Sequence, residues 1–411
     1  MSEERIVIVG AGQAAGQCAA SLRRNGFEGE IVMVGDEPHP PYQRPPLSKA
    51  YLSGEIEQDR LWVQPPEVWQ EQKVELRLGV RADVIDRDAK TIALSDGSSL
   101  SYSTLVLATG SRVRPLPAPG AELEGVRYLR TIADIDVLKR DVAPGKRIAI
   151  IGGGYIGLEA ASVAKKLGAE PIVIEAMPRC LARVAVPELS EFFENAHRRR
   201  GVDVRSDALV AELLGETEVE AVLLKDGGKI EVDSALIGIG ILPNQELAEA
   251  AGIAVSNGIE VDAHCRTSDP DIYAIGDCAA QVNWLTGSRL RLESVPNALE
   301  QAKHAAAAIT GSKTPPNEVP WFWSDQFDLK LQTAGLFQGA DELIIRRTGE
   351  EQVSFFHLKA GVLIAADCVN DPQSFMASKM MIGKRGRPDP QKLADTQAPM
   401  KEIMKAAIAA S

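Results

Sequence analysis

Short unbroken runs of apolar, β-branched residues mark the strands of this chain. Arg5-Ile-Val-Ile-Val9 is the first, and it meets Gly10-Ala-Gly12-Gln-Ala-Ala-Gly16. Such a run bounded by turn residues reads as a buried strand. An alanine-rich stretch from Gln17 to about Asn25 predicts a helix. Glu30 to Val34 predicts a second strand, ending at Gly35-Asp36-Glu37. The pattern then recurs. Arg147-Ile-Ala-Ile-Ile151 meets Gly152-Gly-Gly154-Tyr-Ile-Gly157, a helix is expected over Leu158 to Leu167, and Pro171 to Ile174 runs into Glu175. These are two copies of one β-α-β unit, a duplicated fold rather than a short repeat array. Further buried strands are expected at Tyr102 to Gly110, Ala235 to Gly240 and Asp271 to Asp277. Proline-rich linkers at Arg114 to Pro119 and Thr314 to Pro316 mark boundaries, and from about Asn317 the pattern mixes strand and helix.

Each glycine cluster follows a strand, opens a helix and precedes an acidic residue at the end of the next strand. Asp36 comes twenty residues after Gly16, and Glu175 eighteen after Gly157. In the first copy Ala15 takes the third fingerprint position. A lone Gly-rich turn says little, but this whole context specifies a dinucleotide site. Glycine lets backbone approach a pyrophosphate, the helix N-terminus offers N–H groups and positive dipole charge, and the carboxylate accepts from ribose hydroxyls. Two such sites in one chain call for a donor and an acceptor, of which FAD and NAD(P)H are the usual pair. The N-terminal site is assigned to FAD, because the second unit looks inserted between its halves. Gly276-Asp277 would complete the flavin site. Glu175 favours a 2′-hydroxyl over a 2′-phosphate, hence NADH over NADPH, although Arg179 and Arg183 nearby could blunt that preference.

The 411 residues are too many for one ordinary core and fit two or three domains. Charged residues are 25% of the chain and the net charge is −12. That acidity argues against nucleic acid or an anionic membrane as partner. No apolar run approaches a membrane span, and the first strand begins too early to leave room for a signal peptide. The five cysteines, Cys18, Cys180, Cys265, Cys278 and Cys368, form no CxxC or metal-like pair. An odd, unpaired set fits a reducing cytoplasm.

Arg44-Pro-Pro-Leu-Ser-Lys49, Leu105-Val-Leu-Ala108-Thr109-Gly110, Tyr155-Ile156-Gly-Leu-Glu159, Tyr273 to Asp277, Glu293 to Gln301 and Pro320 to Gln326 together resemble the NADH-dependent ferredoxin reductases of bacterial oxygenase systems, nearest to those serving a cytochrome P450. The resemblance covers essentially the whole chain. It implies an α/β fold with two Rossmann-like, glutathione-reductase-type domains and a C-terminal α+β interface domain. The expected parts are a FAD domain over 1–112 and 241–314, an inserted NADH domain over 113–240, and the remainder over 315–411. It implies FAD contacts from Gly10, Gly12, Ala14, Ala15, Asp36, Arg44, Lys49, Ala82, Ala108, Thr109, Gly110, Arg130, Gly276, Asp277 and Val295. For NADH it implies Gly152, Gly154, Tyr155, Ile156, Gly157, Glu175 and Arg183, with Glu159, Ile239 and Gly240 near the nicotinamide. Lys49 and Glu159 would pair beside the flavin ring, and Trp323 would pack on it. By itself each of these three reads as a surface lysine, a helix-face glutamate and a core tryptophan.

Cysteine placement bears on the electron route. Dithiol reductases need a redox pair near the flavin, and no cysteine lies between Cys18 and Cys180. Electrons are therefore expected to leave from the flavin itself, one at a time, to a 2Fe–2S ferredoxin supplying a P450 or Rieske-type oxygenase. Such ferredoxins are usually acidic, so a basic docking patch is expected. The candidates are Arg289 with Arg291, and Lys384 to Arg387; Arg198 to Arg200 is expected to lie far from the flavin. Rubredoxin reduction, or an apoptosis-inducing-factor-like binding role, are the rival readings.

Overall fold

The structure is a computed structural model that describes residues 4–410. By packing, these residues fall into two compact units. One comprises 4–43, 59–112 and 242–322; the other comprises 44–58, 113–241 and 323–410.

The first unit is built on a five-stranded parallel sheet. Its order is Ile272–Ala274, Thr104–Leu107, Arg5–Val9, Glu30–Gly35, Val74–Leu78. The first strand shows why its run is unbroken. Ile6 and Ile8 face Ala15, Cys18, Ala19 and Leu22 of the helix Gln13–Arg24. Val7 and Val9 face Ile85, Ile92 and Leu100 of an antiparallel meander on the other side. Both faces are covered, so alternation with polar residues would bury unpaired polar groups. Each such Ile or Val contributes roughly 1.5–3 kcal/mol when fully buried. The long helix Val295–Thr310 packs on Gln13–Arg24.

The second unit repeats this plan. Its parallel order is Asp203–Arg205, Glu170–Ile174, Arg147–Ile151, Ser234–Ile237, Val126–Tyr128. A second antiparallel meander, Val210–Leu214, Ala221–Leu224 and Lys229–Glu231, covers Ala149 and Ile151. Even a bulge near the start of the first meander strand recurs, at Ala82/Val84 and at Val210/Glu212. The copies differ in their outermost strand. In the first unit it arrives late in sequence (272–274), in the second early (126–128), as nesting one copy inside the other requires. The second unit also holds the strands Leu329–Gly335, Glu342–Arg347, Val353–Lys359 and Val362–Val369, an antiparallel sheet backed by the helices Pro372–Gly383 and Met400–Ala409. Among the described residues no helix is long and apolar enough to cross a membrane.

Two helix starts differ from the sequence reading. The helices expected from Gln17 and Leu158 begin about one turn earlier, at Gln13 and Tyr155. The glycines do not separate strand from helix; they form the helix entry.

Candidate functional site

In the first unit the strand Arg5–Val9 turns at Gly10, whose φ is +112°. A Cβ there would stand 2.1 Å from the Ala108 carbonyl oxygen. Gly12 is the helix N-cap, no side chain caps the helix, and no acid sits in its first turn. A Cβ on Gly12 would meet nothing within 4 Å. The first-turn N–H groups therefore look into open space with no partner from the chain, which is what an anion needs. Ala14 and Ala15 are buried beneath this turn. Gly276, with φ +79°, lies so close to Ala14 that a Cβ would be 3.1 Å from the alanine's own, and its N–H donates to Gln301 Oε1 at 2.8 Å. Asp277 accepts from Ser111 Oγ at 2.8 Å. Thr109 donates to the Asn244 carbonyl at 2.6 Å and Asn244 Nδ2 donates back to the Thr109 carbonyl at 2.9 Å, fixing the turn before Gly110. Asp36 is exposed beyond Gly35, Ala82 is buried at the start of the meander, and Val295 opens the helix capped by Ser294.

The second unit builds the same cradle. Gly152 has φ +113° and would place a Cβ 2.4 Å from the Gly238 carbonyl oxygen; Gly157 would place one 2.1 Å from the Gly152 oxygen. Gly154 caps the helix Tyr155–Lys166 without a side-chain bond and faces open space. Glu175 accepts from Gly153 N–H on Oε2 and from Met177 N–H on Oε1, both at 2.7 Å. Tyr155 and Ile239 are half-buried and Ile156 is exposed at the rim. The two nearby arginines part ways. Arg179 spends its guanidinium on the Ala182 and Ala185 carbonyls and on Ser190 Oγ. Arg183 is exposed, and its Nη2 lies 3.4 Å from where a Gly240 Cβ would be.

A second cluster in this unit joins Lys49 and Glu159. Glu159 lies inside the helix, 1% exposed, and its Oε1 is 3.0 Å from Lys49 Nζ. Ser48 Oγ donates to Oε2 and Ser324 Oγ to Oε1, both at 2.7 Å. An isolated carboxylate could not stay charged at such a depth; three donors make it tolerable. Lys49 Nζ also lies 4.0 Å from Asp325 Oδ2. Arg44 donates to the Arg130 carbonyl at 2.6 Å, joining two more candidates. Trp323 is half-buried, next to Ser324 on one strand and thus on its opposite face. Ser48 and Ser324 lie inside the motifs Arg44–Lys49 and Pro320–Gln326 yet carried no signal of their own, and neither did Asn244 or Ser111.

All five cysteines are free and buried. Burial pushes the Cys18 and Cys180 thiols up to about 12 and raises the other three as well. None is a thiolate at neutral pH, so none is set up for dithiol exchange.

The basic docking candidates are tied to the fold to different degrees: Arg289, Lys384, Arg385 and Arg387 are exposed. Arg291 has a 7% exposed side chain paired with Glu293 and bonded to the Asp277 carbonyl. Arg289 donates to the Val261 and Ala280 carbonyls. Arg387 is tied to the Ala360 carbonyl. Arg198, Arg199 and Arg200 are paired with Glu194, Glu351 and Asp328.

Two anion-ready helix ends, each followed by a strand-end carboxylate on a duplicated Rossmann-type sheet, define a dinucleotide-dependent oxidoreductase. Residues 4–302 match the pyridine nucleotide-disulphide oxidoreductase model and residues 321–404 the reductase C-terminal model. The chain belongs to the pyridine nucleotide-disulphide oxidoreductase family, and FAD and NAD(H) are its cofactors. It is 42% identical to putidaredoxin reductase CamA of Pseudomonas putida, over 99% of this chain and 98% of that one. It is 44% identical to the probable ferredoxin reductase CtmF of Castellaniella defragrans, over 96% and 97%. The crystal structure of the covalent putidaredoxin reductase–putidaredoxin complex matches with TM-score 0.96 and 42% identity, covering 99% of both chains. The resemblance read from the motifs is thereby borne out.

Proposed function

We propose that this enzyme oxidises NADH and passes the electrons, one at a time, to a 2Fe–2S ferredoxin serving a P450 or Rieske-type oxygenase in the cytoplasm. The observation carrying this reading is the pair of complete dinucleotide cradles in a chain whose thiols are all buried and protonated. Relatives named as ferredoxin reductases over nearly the whole chain support the acceptor.

When bound, FAD supplies the two-electron to one-electron conversion that links a hydride donor to a single-electron acceptor. The chain's own part is positioning and charge. The first turns of Gln13–Arg24 and Tyr155–Lys166 bind the two pyrophosphates, with Gly12 and Gly154 leaving the approach clear and Gly10, Gly152 and Gly157 letting strand, turn and helix pack closely enough to form it. Asp36 and Glu175 accept from ribose hydroxyls. Gly276 and Asp277 close the flavin site, with Arg44, Ala82, Thr109, Arg130 and Val295 as further contacts. Lys49 supplies a fixed positive charge that favours reduced flavin, Glu159 orients Lys49, and Trp323 excludes water from the ring face. The division into FAD domain (1–112, 241–314), NADH domain (113–240) and C-terminal domain (315–411) belongs to this proposal.

Purified protein given NADH and a 2Fe–2S ferredoxin should reduce cytochrome c through the ferredoxin at many turnovers per second. Dependence on rubredoxin instead would reassign the acceptor.

A further inference from the structure

The polar groups around Glu159 do not stop at its immediate donors. Ser324 Oγ lies 2.7 Å from Glu159 Oε1 and 3.2 Å from Gln326 Nε2. Gln326 Oε1 in turn lies 2.9 Å from His197 Nε2. Glu159, Ser324, Gln326 and His197 are each no more than 2% exposed. Bulk solvent therefore cannot substitute for any link.

The direction of every bond follows from counting protons. A carboxylate oxygen can only accept, so the single hydroxyl proton of Ser324 goes to Glu159. Ser324 must then accept from the Gln326 amide nitrogen. That turns the amide oxygen toward His197, which must carry its proton on Nε2. The Nδ1 atom is left bare, and it is a buried atom with no hydrogen-bond partner. All donors point one way, from the imidazole to the carboxylate. Such chains of polarised bonds reinforce one another at low dielectric.

The far end is clamped. Phe327 follows Gln326 with φ +57°, a costly conformation for an aromatic residue. Its ring packs on His197 at 5.0 Å and under the Arg200 guanidinium at 5.2 Å. Arg200 is itself held by Asp328 and Glu351. The charged groups facing the relay are thus Arg200 at the imidazole end, and Lys49 with Asp325 at the carboxylate end.

We propose that His197, Gln326 and Ser324 are positioning residues, forming a one-directional hydrogen-bond relay that holds Glu159, and through it Lys49, in a single geometry for hydride transfer. The proposal rests on the reading of Lys49 and Glu159 as parts of the redox site. An apolar filler of the same volume at these three positions would serve packing equally well. A polar chain with every proton aimed at one carboxylate serves the carboxylate.

The test uses flavin-loaded protein and follows flavin bleaching by NADH in a stopped-flow instrument. The variants are Gln326→Met, Ser324→Val, Ser324→Thr, the double variant Gln326→Met with Ser324→Val, and Lys49→Met. Val and Thr have the same shape, so the difference between them reads the hydroxyl alone even if both lower stability. Ser324→Val should slow bleaching at saturating NADH roughly tenfold, the worth of one charge-assisted hydrogen bond, and Gln326→Met, which removes only a neutral link of the relay, by a smaller factor. The NADH concentration for half-maximal rate should stay put, and Ser324→Thr should restore the rate. The double variant should be no slower than Ser324→Val, because a relay is already cut at its first link. Rates that multiply in the double variant, or Ser324→Val matching Ser324→Thr, would overturn the relay. Lys49→Met separates the two readings. If it slows bleaching while the relay variants do not, the relay alone fails; if Lys49→Met is also at the parent rate, the role of the ion pair fails.

Discussion

Glu175 shows how a single side chain sets cofactor choice. Each of its oxygens already accepts one backbone N–H, from Gly153 and from Met177. A carboxylate has about four lone-pair sites, so roughly two stay open, the number a ribose diol needs. The same negative charge repels a 2′-phosphate. Arg179 is tied into its own loop, which leaves the exposed Arg183 to oppose that preference. Glu175→Gln should raise the ratio of NADPH to NADH turnover at least tenfold; an unchanged ratio, measured by kcat/KM for each, would place the selectivity elsewhere. His197 gives a residue-level prediction of another kind. Burial lowers its pKa from 6.5 to about 4. The unfolded chain then binds a proton in that interval that the folded one refuses, so its stabilising share is complete above pH 6.5 and is lost as pH falls toward 4. A shift of this size is worth on the order of 3 kcal/mol. The thermal midpoint of His197→Gln should fall less steeply over that interval than that of the parent, and parallel slopes would contradict it. Glu175 was legible because it ends a strand at the fingerprint distance. His197 was not, because a lone histidine on a helix gives no hint of what a hairpin over a hundred residues later brings beside it.

The elements were legible where one physical cause dominates. Arg5–Val9 and Arg147–Ile151 are apolar throughout because helix and meander cover opposite faces, and that pattern is local in sequence. The helix starts were read a turn late because Gly12 and Gly154 replace the Ser, Thr or Asp that normally announces an N-cap. That missing cap is the signal of function, since a side-chain cap would occupy the N–H groups an anion needs. Gly10 and Gly12 can be told apart on this basis. Gly10→Val drives a Cβ into the Ala108 carbonyl at an unfavourable φ and should lower the melting temperature even without cofactor. The Cβ of Gly12→Val meets no atom of the protein within 4 Å, so the apoprotein should melt normally while FAD retention is lost. If Gly12→Val purified with a full complement of flavin, that helix end would not be the pyrophosphate site.

At the scale of the whole molecule, duplication was visible in the spacing of two fingerprints, and the fold repeats down to the meander bulges. Of the outer strands, Ile272–Ala274 falls within the strand expected at Asp271 to Asp277, whereas the three-residue Val126–Tyr128 is too short to show a pattern; the two join their sheets from opposite directions in sequence. Function at this scale turns on one fact: two dinucleotide sites and no reactive thiol. An anaerobic titration of the yellow protein with NADH, following flavin absorbance, tests this most directly. The account predicts complete bleaching at about one NADH per FAD with no further uptake. Uptake of a second equivalent would reveal another redox centre in the chain and contradict a route that runs through the flavin alone.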